Sequence, residues 1–326
     1  MRKILCAILS MGLAYAASAA GPGLDTFICH RGESNDAPEN TFAAYKLAVE
    51  RGFGFECDIY LSKDGRVFTF HDKTLTRTSG GANTNTCNNA TWDEISRLDV
   101  GSWGKWKGSK FAGTRPALFE EVLELARDGR WIYVDVKSKT ADIVPYVKAI
   151  LEKQSKANPG NTLFLCGSVE CGKAFKRLMP EYKVLSCLNC RKGWKKNSPP
   201  VPVGDIIATT KTMGADGVDL RYIASVTTAE YMKAIKNAGL ELHVWTVDDL
   251  PNAVEAFKRG AQTVTTNCAK KLLDEYSAIT APVKEDAPAA RLKAQERAVL
   301  AENIPDATVG EVPAYGGFVL LANGGK

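Results

Sequence analysis

Short apolar runs alternate with amphipathic stretches of helical period along most of the chain. The apolar runs predict buried strands at 27–32, 54–62, 131–137, 162–168, 183–189, 217–221, 241–247 and 262–267. The helical periods between them predict helices at 41–51, 118–128, 141–154, 170–179, 227–238 and 251–259, several of which are followed by Gly, the residue that most often ends a helix in the left-handed conformation. This alternation is typical of a parallel α/β fold.

Eight β-α units in one region favour a particular α/β architecture. A (β/α)8 TIM barrel uses eight such units and carries its active site at the carboxyl ends of the strands. The alternative is a doubly wound open sheet, which often carries a Gly-rich phosphate turn, and the sequence contains no G-x-G-x-x-G. We therefore predict a TIM barrel over residues 21–280, with a β-hairpin after its second strand.

Two segments fall outside the alternation. Residues 73–117 are rich in Thr, Asn, Gly, Trp and Lys and lie where a loop would leave the catalytic face, so we predict an insertion there. Residues 281–326 are rich in Ala and Pro and are predicted to form a C-terminal extension outside the barrel.

The first twenty residues, MRKILCAILSMGLAYAASAA, combine two positive charges, an apolar run and an A-x-A pattern ending at Ala19. This pattern predicts a signal peptide over residues 1–20, cleaved near Ala19 or Ala20, and an exported protein that is periplasmic or secreted. No second apolar stretch follows, so no stable membrane insertion is expected. Eight of the nine cysteines would remain, and an oxidising compartment permits disulfides among them.

Charge changes this picture little. The formal net charge of +5 is small for 326 residues and gives no reason to expect nucleic-acid binding.

One hairpin holds unusual chemistry, in the stretch FECDIYLSKDGRVFTFHD at 55–72. Asp64 and Gly65 are typical of a two-residue type I′ turn. With that turn, Asp58 is expected directly opposite His71, and Glu56 lies on the same face because side chains repeat every second residue. The hairpin is therefore predicted to bring a carboxylate pair and one of only three histidines into one site.

Two other strand ends offer matching groups. His30 and Arg31 close the first predicted strand, and Asp135 and Lys137 share one face of the third. Three carboxylates suit a hard divalent cation such as Mg²⁺ or Ca²⁺, and two histidines suit an acid and a base. The Arg and Lys side chains suit a phosphate.

These motifs resemble the glycerophosphodiester phosphodiesterase family. The similarity includes HRG-x5-PENT at 30–41, the E-x-D pair at 56–58, KDG, HD and LTRTSG, and continues through LDVGSW, RPALFEEVL, VDVK and HVWTV. It covers nearly all of residues 27–275 in order, which makes it specific.

The resemblance implies a metal-dependent TIM-barrel hydrolase that converts a small-molecule glycerophosphodiester to glycerol 3-phosphate and an alcohol. It implies that His30 and His71 are the acid–base pair and that Glu56 and Asp58 are metal ligands. It also implies that Arg31 contacts the phosphate and that Trp245 lines the pocket. Lys137 also matches the family. The nucleophile would be water or the neighbouring glycerol hydroxyl, the latter through a cyclic phosphate.

Two positions depart from the family pattern. Asp135 stands where the family usually has Glu, and Asn267 stands where it commonly has Asp. We assign Asp135 as the third ligand of one divalent cation, and Asn267 has no assigned role in the chemistry.

Alternative interpretations of the site and of three other features remain open. The site also suits a lipid phosphodiesterase of the phospholipase D or phosphatidylinositol type, or a non-catalytic barrel that binds a phosphorylated ligand. The segments SWGKWKGSKF (102–111) and CRKGWKKNSPP (190–200) interleave Trp and Lys and suit either a head-group contact or solvated loops. His243 shares a predicted strand face with Trp245 and suits either the pocket or the core.

Overall fold

The computed structural model describes residues 22–281, which form a closed barrel. The strands are β1 (Phe27–Cys29), β2 (Gly54–Leu61), β3 (Val67–Thr69), β4 (Ile132–Val136), β5 (Thr162–Cys166), β6 (Lys183–Leu188), β7 (Gly217–Arg221), β8 (Glu241–Trp245) and β9 (Thr263–Thr266). Eight of them pair in parallel, and β1 closes the ring because it pairs with both β2 and β9. The prediction of a (β/α)8 barrel is confirmed.

A helix follows each barrel strand. The helices are α1 (Phe42–Glu50), α2 (Trp92–Ser96), α3 (Phe119–Leu123), α4 (Val144–Leu151), α5 (Val169–Leu178), α6 (Val203–Met213), α7 (Ala229–Asn237), α8 (Leu250–Lys258) and α9 (Ala269–Thr280). Only α2 lies outside this alternation, between β3 and α3, and α3 is shorter than predicted. None of the helices described between residues 22 and 281 is long and apolar enough to cross a membrane.

The barrel interior is filled by side chains from facing strands. The Tyr133 hydroxyl on β4 lies 3.0 Å from Nδ1 of His243 on β8 and 3.1 Å from the Thr263 hydroxyl on β9. Burial lowers the pKa of His243, whose Nε2 lies 3.5 Å from a Glu241 oxygen. His243 therefore belongs to the barrel core, beneath the carboxyl ends of the strands.

The hairpin after β2 has a different turn from the predicted one. Ser62 and Arg66 close a three-residue loop, Lys63-Asp64-Gly65, in which the Ser62 amide donates to the Arg66 carbonyl. Gly65 has φ +81°, as the last residue of such a loop requires. The Asp64 side chain accepts from the Ser62 hydroxyl and from the amide of Trp92, which joins the turn to α2.

The extra loop residue shifts the register by one. Ile59 pairs with Thr69, and the Phe70 amide donates to the Asp58 carbonyl. The prediction that Asp58 lies directly opposite His71 is therefore wrong, because His71 follows the paired segment. Glu56 and Asp58 do share one face of β2, as predicted.

The segment between β3 and α3 has a small core of its own. Buried side chains of this core are Tyr60, Phe68, Phe70, Leu75, Cys87, Ala90, Ile95, Leu98 and Val100. The segment is thus packed against the hairpin.

Other predictions about the chain remain untested. The eight cysteines among the described residues are free thiols. The predicted signal peptide at 1–20 lies outside the described residues, as does the predicted C-terminal extension apart from Ala281. Export and the domain boundaries stay predictions.

The hairpin turn generates a stability prediction. Gly65→Val should lower the free energy of unfolding by at least about 1–2 kcal/mol, because a left-handed φ is costly for a side chain with a Cβ. The added Cβ would also lie 2.8 Å from the Tyr146 ring. Gly65→Asn is the matched control, since Asn tolerates this φ. Thermal unfolding of the two variants checks the expectation, and equal destabilisation would contradict it.

Candidate active site

Three buried carboxylates meet where β2 and β4 lie side by side. Asp58 and Asp135 are register partners, and Glu56 lies one pleat before Asp58 on the same face. One oxygen from each carboxylate lies within 4.8 Å of the others. The structure thus brings together the three residues predicted to hold a metal.

Asp58 is the most heavily paired of the three. Its oxygens lie 2.7 Å from Lys137 Nζ, 2.6 Å from Asn40 Nδ2 and 3.4 Å from Arg31 Nε. Burial raises the pKa of Asp58, but the positive charges of Lys137 and Arg31 outweigh it and hold this pKa well below its usual range. Lys137 Nζ also lies 2.6 Å from an Asp135 oxygen, so it bridges two members of the cluster.

For Glu56 and Asp135, the nearby positive charges do not outweigh the effect of burial on the pKa. Burial, with the nearby charges of Asp58 and Asp135, raises the pKa of Glu56 well above its ordinary value. Burial likewise raises the pKa of Asp135 despite its contact with Lys137. A divalent cation would favour the ionised forms of both groups, and three carboxylates form a hard oxygen donor set. The residues present therefore fit a divalent cation.

The net charge of this centre supports the same fit. With all three carboxylates ionised, the cations of Arg31 and Lys137 would still leave a formal excess of negative charge, which would repel an anionic phosphodiester. A bound divalent cation would reverse the sign of the centre.

His30 lies at the end of β1 and is oriented by an amide. Its Nδ1 is 2.7 Å from Oδ1 of Asn267, which follows β9. Asn267 in turn donates from Nδ2 and from its backbone amide to the two carboxylate oxygens of Asp248, at 2.7 and 2.8 Å. Burial, followed by the charge of Arg31, lowers the pKa of His30 to about 4. His30 is therefore a neutral imidazole at pH 7.

His71 is oriented by a carboxylate. Its Nδ1 lies 2.8 Å from Asp72 Oδ1, and Arg77 Nε donates to Asp72 Oδ2 at 2.7 Å. Burial raises the pKa of Asp72, but the hydrogen bonds from Arg77 and His71 lower it to about 2. Asp72 therefore stays ionised beside the imidazole.

Arg77 joins the two halves of the site. Its guanidinium donates to both oxygens of Glu39, at 3.0 and 2.7 Å, and Glu39 also accepts from Arg31 at 2.9 Å. The Trp103 ring lies 4.8 Å from the Arg77 guanidinium carbon. A continuous chain of hydrogen bonds and ion pairs thus runs from His71 to Arg31, and Trp103 of the segment between β3 and α3 packs on its Arg77.

The loop after β1 needs unusual backbone conformations to place these groups. Arg31 and Asn40 have φ of +59° and +55°, and Gly32 has φ +77°. The Arg31 amide donates to Glu56 at 2.8 Å, which fixes the loop against the cluster. A Cβ at Gly32 would lie 2.5 Å from the Ala44 carbonyl carbon, so α1 packs directly on this glycine.

Trp245, the last residue of β8, lies on a different wall of the barrel. Its indole Nε1 donates to the Asp219 carbonyl at 3.1 Å, and its ring centroid lies 6.1 Å from that of Trp194. No direct contact joins Trp245 to the carboxylate cluster among the described residues.

Sequence reasoning missed several supporting residues. Asn40, Glu39 and Arg77 lie in the PENT and LTRTSG segments, which carried the resemblance without assigned roles. Asn267 was given no role, yet it contacts His30 directly. Residues so distant in sequence come into contact only because β1 and β9 are neighbours in the closed barrel, which no local sequence pattern indicates.

The fold and the site together define a class of protein. The closed (β/α)8 barrel presents carboxylates, cations and two histidines at the carboxyl ends of its strands, and together with the family match below this defines an enzyme of the phosphoric diester hydrolase class. The sequence profile of the Glycerophosphoryl diester phosphodiesterase family matches residues 30–271. The chain belongs to this family.

Individual relatives agree with that assignment. The chain is 29% identical over 255 residues to the glycerophosphodiester phosphodiesterase of Caldanaerobacter subterraneus, which covers 76% of this chain and 96% of the relative. It is 26% identical over 256 residues to the glycerophosphodiester phosphodiesterase of Bacillus subtilis, covering 74% and 82%.

Solved structures share the fold. An Oleispira antarctica phosphodiesterase in complex with the product sn-glycerol-3-phosphate superposes with a TM-score of 0.65 at 22% identity, covering 77% of this chain and 96% of that one. A Silicibacter pomeroyi structure superposes with a TM-score of 0.66 at 18% identity, covering 80% and 97%.

The environment of His30 predicts a pH effect on stability. Because its folded pKa of about 4 lies below the unfolded value of about 6.5, the unfolded chain binds more protons between these values. The free energy of unfolding should therefore fall as the pH drops from about 6.5 to about 4. In His30→Asn this contribution should disappear, so the variant should lose less stability over that window. Urea unfolding in EDTA across the window measures both proteins, and parallel curves would contradict the expectation.

Proposed function

We propose that this protein hydrolyses glycerophosphodiesters to glycerol 3-phosphate and an alcohol, with one divalent cation, Mg²⁺ or Ca²⁺, held by Glu56, Asp58 and Asp135. The observation that carries the proposal is the three-carboxylate cluster within 4.8 Å, near two histidines whose partners differ in charge. The bound cation would supply neutralisation of the phosphate charge.

Arg31 and Lys137 are proposed to hold the phosphate. Both cations already touch Asp58, so their positions are fixed before a substrate arrives. Preorganised cations stabilise developing negative charge without having to move during the reaction.

The two histidines are proposed to act as an unlike pair. His30 is neutral, and its Nδ1 is committed to the Asn267 oxygen, which leaves Nε2 free to take a proton from the nucleophile. His71 faces the ionised Asp72, whose negative charge complements an imidazolium. His71 is therefore assigned as the acid that gives a proton to the leaving alkoxide.

The rival functions receive less support. The Oleispira antarctica structure in complex with sn-glycerol-3-phosphate supports a small-molecule substrate rather than a lipid. A non-catalytic phosphoryl-binding barrel would not need two histidines with such different partners.

An activity assay tests the proposal. Release of glycerol 3-phosphate is measured from glycerophosphocholine, glycerophosphoethanolamine and glycerophosphoglycerol, and release of the head-group alcohol or its phosphate is measured from intact sphingomyelin and phosphatidylinositol. His30→Ala and His71→Ala should each lower kcat by about 10² or more, as expected for general acid–base groups. Arg97→Ala is the control, because Arg97 pairs only with Asp93 on α2 in the described part of the chain. Hydrolysis of the intact lipids alone would establish the lipid phosphodiesterase, and wild-type turnover in both histidine variants would overturn the proposed pair.

Metal dependence has its own test. EDTA should abolish activity, and Mg²⁺ or Ca²⁺ should restore it. Asp135→Asn should bind the cation at least about 10-fold more weakly by calorimetric titration, because it removes one anionic ligand.

Two further variants sharpen the metal test. Asp135→Glu restores the residue usual in the family and should retain turnover. The ratio of Mg²⁺-supported to Ca²⁺-supported turnover should change in this variant, because Mg²⁺ tolerates misplaced ligands less well than Ca²⁺. Asp219→Asn is the matched control: this buried carboxyl lies outside the cluster, and burial raises its pKa well above the ordinary value. Unchanged affinity in Asp135→Asn would remove Asp135 from the ligand set.

A further inference from the structure

Two walls face each other across the mouth of the barrel. Tyr133 on β4 and His243 on β8 meet in the interior, 3.0 Å apart. Side chains repeat every second residue along a strand, so the next inward positions toward the carboxyl ends are Asp135 on β4 and Trp245 on β8. The carboxylate cluster and Trp245 therefore stand on opposite sides of one opening.

Arg221 lies next to Trp245 on this second wall. It is the last residue of β7 and the register partner of Trp245. It shares a strand face with Asp219, which is the register partner of the interior residue His243, so this face looks into the barrel.

Trp194 completes the wall from the loop after β6. Its ring centroid lies 6.1 Å from that of Trp245 and 5.0 Å from the guanidinium carbon of Arg221. Trp194 is 71% exposed, which is unusual for so large an apolar side chain. Its loop is anchored where Arg191 pairs with Pro200 and donates to the Ser198 carbonyl.

The guanidinium of Arg221 has capacity to bind another group. Its Nη1 is buried without a hydrogen-bond acceptor, and among residues 22–281 no carboxylate forms an ion pair with Arg221. By contrast, Arg31 and Lys137 on the cluster side are both paired with carboxylates. A buried donor without an acceptor is unfavourable, and a ligand oxygen would satisfy it.

We propose that Trp194, Arg221 and Trp245 form a head-group clamp that selects phosphodiesters whose alcohol carries hydroxyl or carboxylate oxygens over those whose alcohol carries a quaternary ammonium. The inference rests on the proposed function, because the phosphate must lie at the carboxylate cluster for the rest of the substrate to reach this wall. Glycerol and serine head groups supply the required oxygens, and choline does not.

The chemistry of the wall argues against a choline cage. Two tryptophans alone would attract a quaternary ammonium through cation–π contact. Here the cation of Arg221 already lies over Trp194, and an ammonium bound beside it would meet a like charge. The Trp245 indole Nε1 is committed to the Asp219 carbonyl, so Trp245 offers an apolar surface and Arg221 supplies the donors.

Substrate competition tests the clamp. The wild-type kcat/KM for glycerophosphoserine and glycerophosphoglycerol should exceed that for glycerophosphocholine by about 10-fold or more. Arg221→Met should bring this ratio close to one, and Arg221→Glu should invert it. Arg221→Lys should retain part of the preference because it keeps the charge but loses the planar guanidinium.

Two controls distinguish the effect of the clamp from that of the overall positive charge nearby and from catalytic turnover. Lys192→Met removes an exposed positive charge from the same loop and should leave the ratio unchanged. Calorimetric dissociation constants of glycerophosphoserine and glycerophosphocholine, measured on His71→Ala with Mg²⁺, should give the same order of preference without turnover. Thermal unfolding confirms that each variant is folded.

The outcomes distinguish the two proposals. If wild-type protein releases no glycerol 3-phosphate from any substrate, the proposed function fails, while the calorimetric ratio still decides the clamp. A wild-type preference for glycerophosphocholine, or an Arg221→Met ratio within about twofold of wild type in both measurements, would overturn the clamp.

Discussion

The structure depends on keeping three carboxylates together in a buried place. Burial and mutual repulsion act against ionisation of Glu56 and Asp135, whereas Asp58 remains ionised because Lys137, Arg31 and Asn40 surround it. Asp58 is therefore the fixed charge about which the site is organised. Lys137 must reach across from β4, and Arg31 must leave β1 with a left-handed backbone, for this arrangement to form.

The local backbone follows from that requirement. Arg31 and Asn40 take positive φ without being glycine, which is unfavourable, and their side chains and backbone groups are bound to the carboxylates in return. Tyr45 of α1 donates to the Asn40 side chain, which itself accepts from the Asp58 amide. The first loop, α1 and β2 thus form one hydrogen-bonded unit, and the loop conformation is set by the charge it has to compensate.

Much of this could be predicted from the sequence, and the reason lies in periodicity. Strand and helix periods are local, so all eight barrel strands were predictable, and the two-residue repeat correctly placed Glu56 and Asp58 on one face. The hairpin register could not be predicted in this way, because adding one residue to the loop changes every pairing. The sequence Lys63-Asp64-Gly65 is compatible with a two-residue and with a three-residue loop. The orienting partners of the histidines depend on contacts between distant segments, such as His30 with Asn267, which no local pattern reveals.

The Asn at position 267 is understandable from its other neighbour. Asp248 accepts hydrogen bonds from the backbone N–H of Asn267, from the side-chain Nδ2 of Asn267 and from the Thr266 hydroxyl. An Asp at position 267 would place a second carboxylate against Asp248 and lose the Nδ2 donor, so the two acids would repel. The amide avoids this conflict and still offers Oδ1 to His30, at the price of leaving the imidazole without a negatively charged partner. Burial and the charge of Arg31 keep His30 neutral, and Asp248 accounts for the presence of an amide, not a carboxylate, beside the imidazole. The unlike partners of the two histidines therefore follow in part from contacts at the end of β9.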